Sequence, residues 1–175
     1  VARGPVDSPM LVDAGTSTSA TLYGVWAAAP DDVWIVGDDP AAGDRRGIII
    51  RYNGSSFERV EPTGAASAAL QSAMFKVWGA GPDDVFLVGR DGVAVRFQGD
   101  YELMDTPTQS QLTTVHGRDG MVYAVGGFNQ GEVIQFDGSS WTDISDPFAP
   151  PLAGVFVAED GTPWVAGDGG YLARF

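Results

Sequence analysis

Short apolar runs separated by glycine, proline and aspartate recur four times along the chain, and this recurrence is the strongest structural signal in it. The first runs begin at Leu22, Met74, Leu112 and Leu152 and end on a ring, at Trp26, Trp78, His116 and Phe156. After a turn, the second runs carry Trp34, Phe86, Tyr123 and Trp164, each three residues before a glycine: Gly37, Gly89, Gly126 and Gly167. The third runs open on Gly47, Gly92, Gly131 and Gly170 and close on Tyr52, Phe97, Phe136 and Phe175. Asn53-Gly54 and Asp137-Gly138 follow two of these and signal hairpins, because both central positions of such a turn need positive φ. Fourth runs start at Phe57, Tyr101 and Trp141. Four short antiparallel strands per unit predict an all-β chain of β-propeller blades.

The repeat divides one domain, 1–175, into blades at about 22–60, 74–104, 112–144 and 152–175. The fourth copy stops after its third strand. In copies two and three the fourth strand opens eleven residues before the next first strand, and eleven before Leu22 is Leu11. The expectation is therefore that residues 10–14 pair with the last strand and close a ring of four blades, removing exposed edges. Small residues in the first strands (Gly24, Ala153, Gly154) suit a narrow axis. The alternative is a dimer of two chains forming one eight-bladed ring.

Composition narrows the function classes. At 175 residues with 44% apolar content the chain can bury a single core, and no apolar run approaches a membrane span. Without cysteine there is no disulfide, thiol catalysis or thiolate metal site. The 23 acidic residues against 10 basic ones give a net charge of −13, which disfavours nucleic acid as a partner. The chain begins without Met and without a signal peptide, as expected of a processed chain or a piece of a longer one.

The phrases Trp78-Gly-Ala-Gly-Pro-Asp-Asp-Val-Phe-Leu-Val-Gly89 and Phe136-Asp-Gly-Ser-Ser-Trp141 resemble the repeats of secreted bacterial β-propeller proteins, in the neighbourhood of the BNR (Asp-box) and Kelch repeats. The resemblance implies an extracytoplasmic location and a binding or assembly role. The 137–141 turn lacks full Asp-box spacing, and Gly126-Gly127 is a partial Kelch echo.

Candidate chemistry lies in the connections that share one face of such a fold, the loops from second to third strand and from blade to blade. Two of them, 38–46 and 61–73, are enlarged in copy one, and loops on a rigid scaffold commonly carry binding groups. The first brings Asp38, Asp39, Asp44, Arg45 and Arg46, with Arg90 and Asp91 from blade two, Asn129 and Gln130 from blade three and Asp168 from blade four on the same face. The reading is a non-enzymatic binding or scaffold module, monomeric by the four-blade count, taking a protein, glycan or cation ligand. Converging carboxylates could hold Ca²⁺, which wants six to eight oxygens, although the spacing is not that of an EF-hand; no other cofactor is expected. The second loop, rich in Ala, Ser and Gly, reads as a mobile segment.

The rival readings are a carbohydrate-active hydrolase or lyase and a plain spacer module. For the first, Asp31-Asp32 and Asp83-Asp84 offer carboxylate pairs, but they fill equivalent Pro-led turns of two blades, which turn chemistry explains. His116, the sole histidine, fills the slot of Trp26, Trp78 and Phe156, and so reads as a packed or partly exposed ring before an acid or base. Arg51, Arg96, Gln135 and Arg174 repeat in one slot, as a periodic surface or inter-blade feature would.

Overall fold

The computed structural model describes residues 14–16, 18–44 and 46–175. Every predicted strand that falls on these residues is present. The first sheet contains β1 (Thr21–Ala29), β2 (Asp32–Asp38), β3 (Gly47–Tyr52) and β4 (Phe57–Val60). The second contains β5 (Met74–Gly81), β6 (Asp84–Gly89), β7 (Ala94–Phe97) and β8 (Tyr101–Met104). The third contains β9 (Leu112–Arg118), β10 (Met121–Gly126), β11 (Glu132–Phe136) and β12 (Trp141–Asp143), and the last contains β13 (Leu152–Val157), β14 (Pro163–Gly167) and β15 (Tyr171–Arg174). Each sheet is an antiparallel meander in chain order, three of four strands and one of three. Among the described residues no helix is long and apolar enough to cross a membrane.

Register explains the repeated slots. In each sheet the ring ending the first strand pairs with the ring of the second: Trp26 with Trp34, Trp78 with Phe86, His116 with Tyr123 and Phe156 with Trp164. Alternation along the strands then divides each blade into two apolar faces, one turned to the next blade and one to the preceding blade. Trp34, Val36 and Ile49 of blade 1 pack against Val77, Val85, Leu87 and Val95 of blade 2. Phe86, Val88 and Ala94 of blade 2 meet Val115, Val122, Ala124 and Ile134 of blade 3, and Val125 and Val133 of blade 3 meet Val155 and Val165 of blade 4. The core is thus a series of sheet-on-sheet layers, and each inner strand lies beside the next in the order β1, β5, β9, β13.

The Arg slot seals the first two of these layers, blade 3 having Gln135 there. Arg51 donates through Nε and a terminal nitrogen to both oxygens of Asp32, at 2.7 and 3.0 Å, while its guanidinium lies 4.6 Å from the Trp34 ring and 5.5 Å from Phe97 of the next blade. Arg96 repeats this with Asp84 (2.7 Å), Phe86 (5.1 Å) and Phe136 (5.3 Å). Each cation bridges two blades through ring faces, a contact of order 0.5–2 kcal/mol. Asp32 and Asp84 are therefore committed to architecture, as their repetition implied.

One expectation needs revision, and one repeated slot departs from its siblings. The 61–73 segment is not a loose loop: Gly64–Gln71 is a 3₁₀ helix whose Ala66, Ala69 and Leu70 are buried, Leu70 and Ala69 within the core between blades 1 and 2. The aromatic slot of the second strand is buried in Trp34, Phe86 and Tyr123, but Trp164 is exposed, because among the described residues no blade packs on its flank. Ring closure by 10–14 falls outside the described residues except for Ala14, which is in no strand and lines a hollow on blade 1 with Val25, Val33 and Phe57. Among the described residues, β13 is not packed on β1 in the way the other inner strands pack on one another.

Candidate functional site at the loop end of the axis

The connections from second to third strand all lie at one end of the blades, held by a recurring bond to the incoming linker. The Arg90 amide donates to the Ala73 carbonyl (2.9 Å), that of Gly127 to Gln111 (3.0 Å) and that of Asp168 to Pro151 (3.0 Å). These bonds leave short, rigid turns in blades 2 and 4; Asp91 sits at φ +60° at the tip of one. Ser72 donates to Asp91 (2.8 Å), tying that turn to the linker from blade 1.

In the 38–46 loop most of the charge is used locally. Asp38 is buried and accepts two bonds from Arg46, at 2.9 and 2.5 Å, which raises the Arg46 pKa. Asp39 accepts from Arg59 (3.2 Å), and Arg59 also donates to Glu61 (2.9 Å). Asp44 is exposed, and Arg45 lies outside the described residues. Asn129, Gln130 and Asp168 are exposed on their turns. Because blade 4 is not packed on blade 1, the structure does not join Asp168 to the 38–46 loop. Among the described residues, no three carboxylates or histidines converge on a point where a metal ion could be held.

What the inner strands bring together at this end is a different set of residues. The positions just inside the strand starts surround a shallow hollow of ≈ 380 Å³, lined by Tyr23, Phe75, Lys76, Gln111, Thr113, Thr114 and Ala153. All four blades contribute. Tyr23 and Phe75 meet edge to face with ring centroids 5.6 Å apart, and the Arg90 guanidinium lies 5.9 Å from the Phe75 ring. Lys76 is the only lysine in the chain. Two rings, two cations and a belt of amide and hydroxyl groups form a surface that can stack an apolar side chain and accept a carboxylate beside it. This slot was legible as a column, Tyr23, Phe75, Thr113 and Ala153, but its variability in chemistry hid it behind the longer loops.

His116 lies toward the opposite end, in a cleft of ≈ 390 Å³ between blades 2 and 3 that includes Trp78, Asp84, Arg96 and Arg118. Its Nδ1 accepts the amide of Val157 (3.0 Å), a bond from blade 3 to blade 4, and its ring lies between Trp78 and Phe156, at 5.3 and 4.9 Å. Burial lowers its pKa, with Arg118 and Lys76 adding to the effect. The neutral ring is the one that accepts the bond. A histidine whose folded pKa is depressed contributes its stability fully above the unfolded value, near 6.5, and loses it as pH falls toward the lower folded value. Melting temperature should thus fall between pH 7.5 and 5 by more in the native protein than in His116→Asn, which keeps an acceptor without titrating; equal losses would show that this bond does not hold blade 4.

No protein-family model and no curated protein sequence matches the chain. Solved structures do. The chain is similar to YCF48 bound to D1 peptide, at 15% identity and a TM-score of 0.62, covering 89% of this chain and 48% of that one. It is similar to the WD40 β-propeller domain of Doa1, at 14% identity and a TM-score of 0.65, covering 90% and 51%. YCF48 from Cyanidioschyzon merolae matches at 14% identity and a TM-score of 0.62, covering 90% and 54%. The fold is that of a β-propeller repeat protein. The chain spans about half the length of these propellers.

Proposed function

We propose that this propeller is a non-enzymatic binding module that takes an acidic peptide segment at the loop end of its axis. The observation that carries the reading is the hollow in which Tyr23 and Phe75 stand beside Lys76 and Arg90, a cationic and aromatic spot in a chain of net charge −13. An extended peptide offers side chains to the rings and a carboxylate to the cations, while Gln111, Thr113 and Thr114 supply donors and acceptors for its backbone. The YCF48 structure bound to a peptide supports the choice of a peptide for a fold of this kind. The resemblance to secreted bacterial repeats supports a setting outside the cytoplasm.

The test is fluorescence anisotropy with a panel of labelled peptides ending in aromatic-plus-acidic pairs, beside the same peptides amidated and neutralised. Binding is expected for the acidic set, weakening with salt as screened charges do. Phe75→Ala and Lys76→Glu should each weaken it about tenfold or more, the size of a central contact. Peptide binding that neither substitution alters, or no binding by any acidic peptide, overturns the reading.

A further inference from the structure

The two end blades carry apolar flanks that interior blades cover. In the slot that follows the strand-opening residues by three, Val77 and Val115 are 0% and 1% exposed, whereas Val25 of blade 1 is 62% exposed. On the other flank, Ile49, Ala94 and Val133 are at most 2% exposed, whereas Leu172 of blade 4, in the same slot, is 65% exposed. Neighbouring exposed positions are Phe156 and Trp164 on blade 4 and Ala27 on blade 1. An apolar flank of this kind on each end marks an interface.

The flanks also match each other slot by slot, as one blade matches the next inside the chain. The Trp26 ring seats on Gly79 of the following blade and the Trp78 ring on Gly117, where an added Cβ would strike the indole. Phe156 belongs to the same ring slot, and the small residue in the receiving slot of blade 1 is Ala27. Trp34 packs against Phe97 and Tyr101 of blade 2, with centroids 4.9 and 6.1 Å away. The corresponding positions on blade 1 are Tyr52 and Phe57, which touch each other at 4.8 Å and line an open hollow of ≈ 850 Å³. Arg174 lies 5.5 Å from Trp164 but lacks the second, next-blade ring that Arg51 and Arg96 have; Tyr52 occupies the slot that would supply it.

We propose that a second copy of this chain covers both flanks, blade 4 of each copy seated on blade 1 of the other, so that two chains close one ring of eight blades. Phe156 then lies on the partner's Ala27, Trp164 fills the hollow lined by the partner's Tyr52 and the partner's Phe57, and Arg174 is sandwiched between its own Trp164 and the partner's Tyr52. The flank-to-flank contact continues the interface already built three times within each chain. The length agrees: four blades match about half the length of solved propellers of this fold, so a second copy supplies about the length that is missing. A two-fold arrangement uses both flanks twice and leaves none open.

The test is sedimentation equilibrium of the native chain, of Val25→Glu, of Leu172→Glu and of an equimolar mixture of the two variants, with circular dichroism confirming the fold of each. The native chain should sediment at twice the 18.4 kDa of one chain. Each variant should dissociate at concentrations about 30-fold or more higher than the native dimer does, and the mixture should recover part of the association, because one pair of unaltered flanks remains between the two variants. Should either glutamate disturb folding, Arg174→Glu and Ala27→Asp replace them on the same flanks. A monomeric native chain overturns the proposal and leaves the flanks to further blades of a longer chain or to closure on itself. A dimer that ignores one of the two substitutions overturns it in favour of a contact between like flanks, and species growing beyond a dimer overturn it in favour of an open array.

Discussion

Trp34→Ala should cost about 3–5 kcal/mol of unfolding free energy, the range for deleting a fully buried large ring. Trp34 is 0% exposed, packs against the adjoining rings of Phe97 and Tyr101 and has the Arg51 guanidinium over its face. Truncation opens a void at the layer between blades 1 and 2 and leaves Arg51 with one ring instead of two. Because a loss of 1 kcal/mol shifts the midpoint of a domain this size by about 2–4 °C, the thermal midpoint should fall by about 10 °C. Among the described residues the indole Nε1 is buried with no hydrogen-bond partner. Trp34→Phe deletes that unsatisfied donor along with part of the ring, so it should recover most of the loss. Trp164→Ala is the control: in the isolated chain this exposed ring should cost less than about 1 kcal/mol. Equal losses for Trp34→Ala and Trp164→Ala, in denaturant melts followed by circular dichroism at dilutions where the chain is monomeric, would refute the assignment of the two rings to a covered and an open flank.

Gly89→Ala should be nearly as damaging, for a backbone reason. An added Cβ at Gly89 would run into the carbonyl oxygen of Ala73, the same oxygen that accepts the Arg90 amide. The linker cannot move away without giving up that bond, so overpacking, typically 1–3 kcal/mol, adds to about 1 kcal/mol for the hydrogen bond. The same approach recurs at Gly37 with Thr21, Gly126 with Gln111 and Gly167 with Pro151. The φ at Gly89 is extended, so the glycine is there for space and not for a left-handed backbone. Urea unfolding of Gly89→Ala should show a midpoint lowered with the slope retained; an unchanged midpoint would mean that the linker yields freely.

Much of this architecture was legible because the repeat constrains one slot four times. The second-strand aromatics, the terminal glycines and the Arg column each stood out as columns, and each serves a single physical purpose, whether filling a layer, admitting a carbonyl or bridging two rings. The columns failed where a copy departs from its siblings. The 61–73 insertion reads as polar and small, yet Ala66, Ala69 and Leu70 recur at three and four residues and face the core. Asp38 and Arg46 looked like a charged rim, but the strand extends through Asp38 and buries its carboxylate under Arg46. The angle between successive blades is set by side-chain volumes along whole layers, which is why small residues on the inner strands did not reveal how far around the axis four blades reach. The hollow at the axis was missed because its column, Tyr23, Phe75, Thr113 and Ala153, changes chemistry from copy to copy.

The scarcity of lysine has a practical consequence at that hollow. Lys76 carries the only ε-amine in the chain, so, apart from the chain terminus, an amine-reactive dye or cross-linker has a single address, and it is the mouth of the axis. Labelling yield, and its protection by a bound molecule, would report occupancy there without any engineered handle.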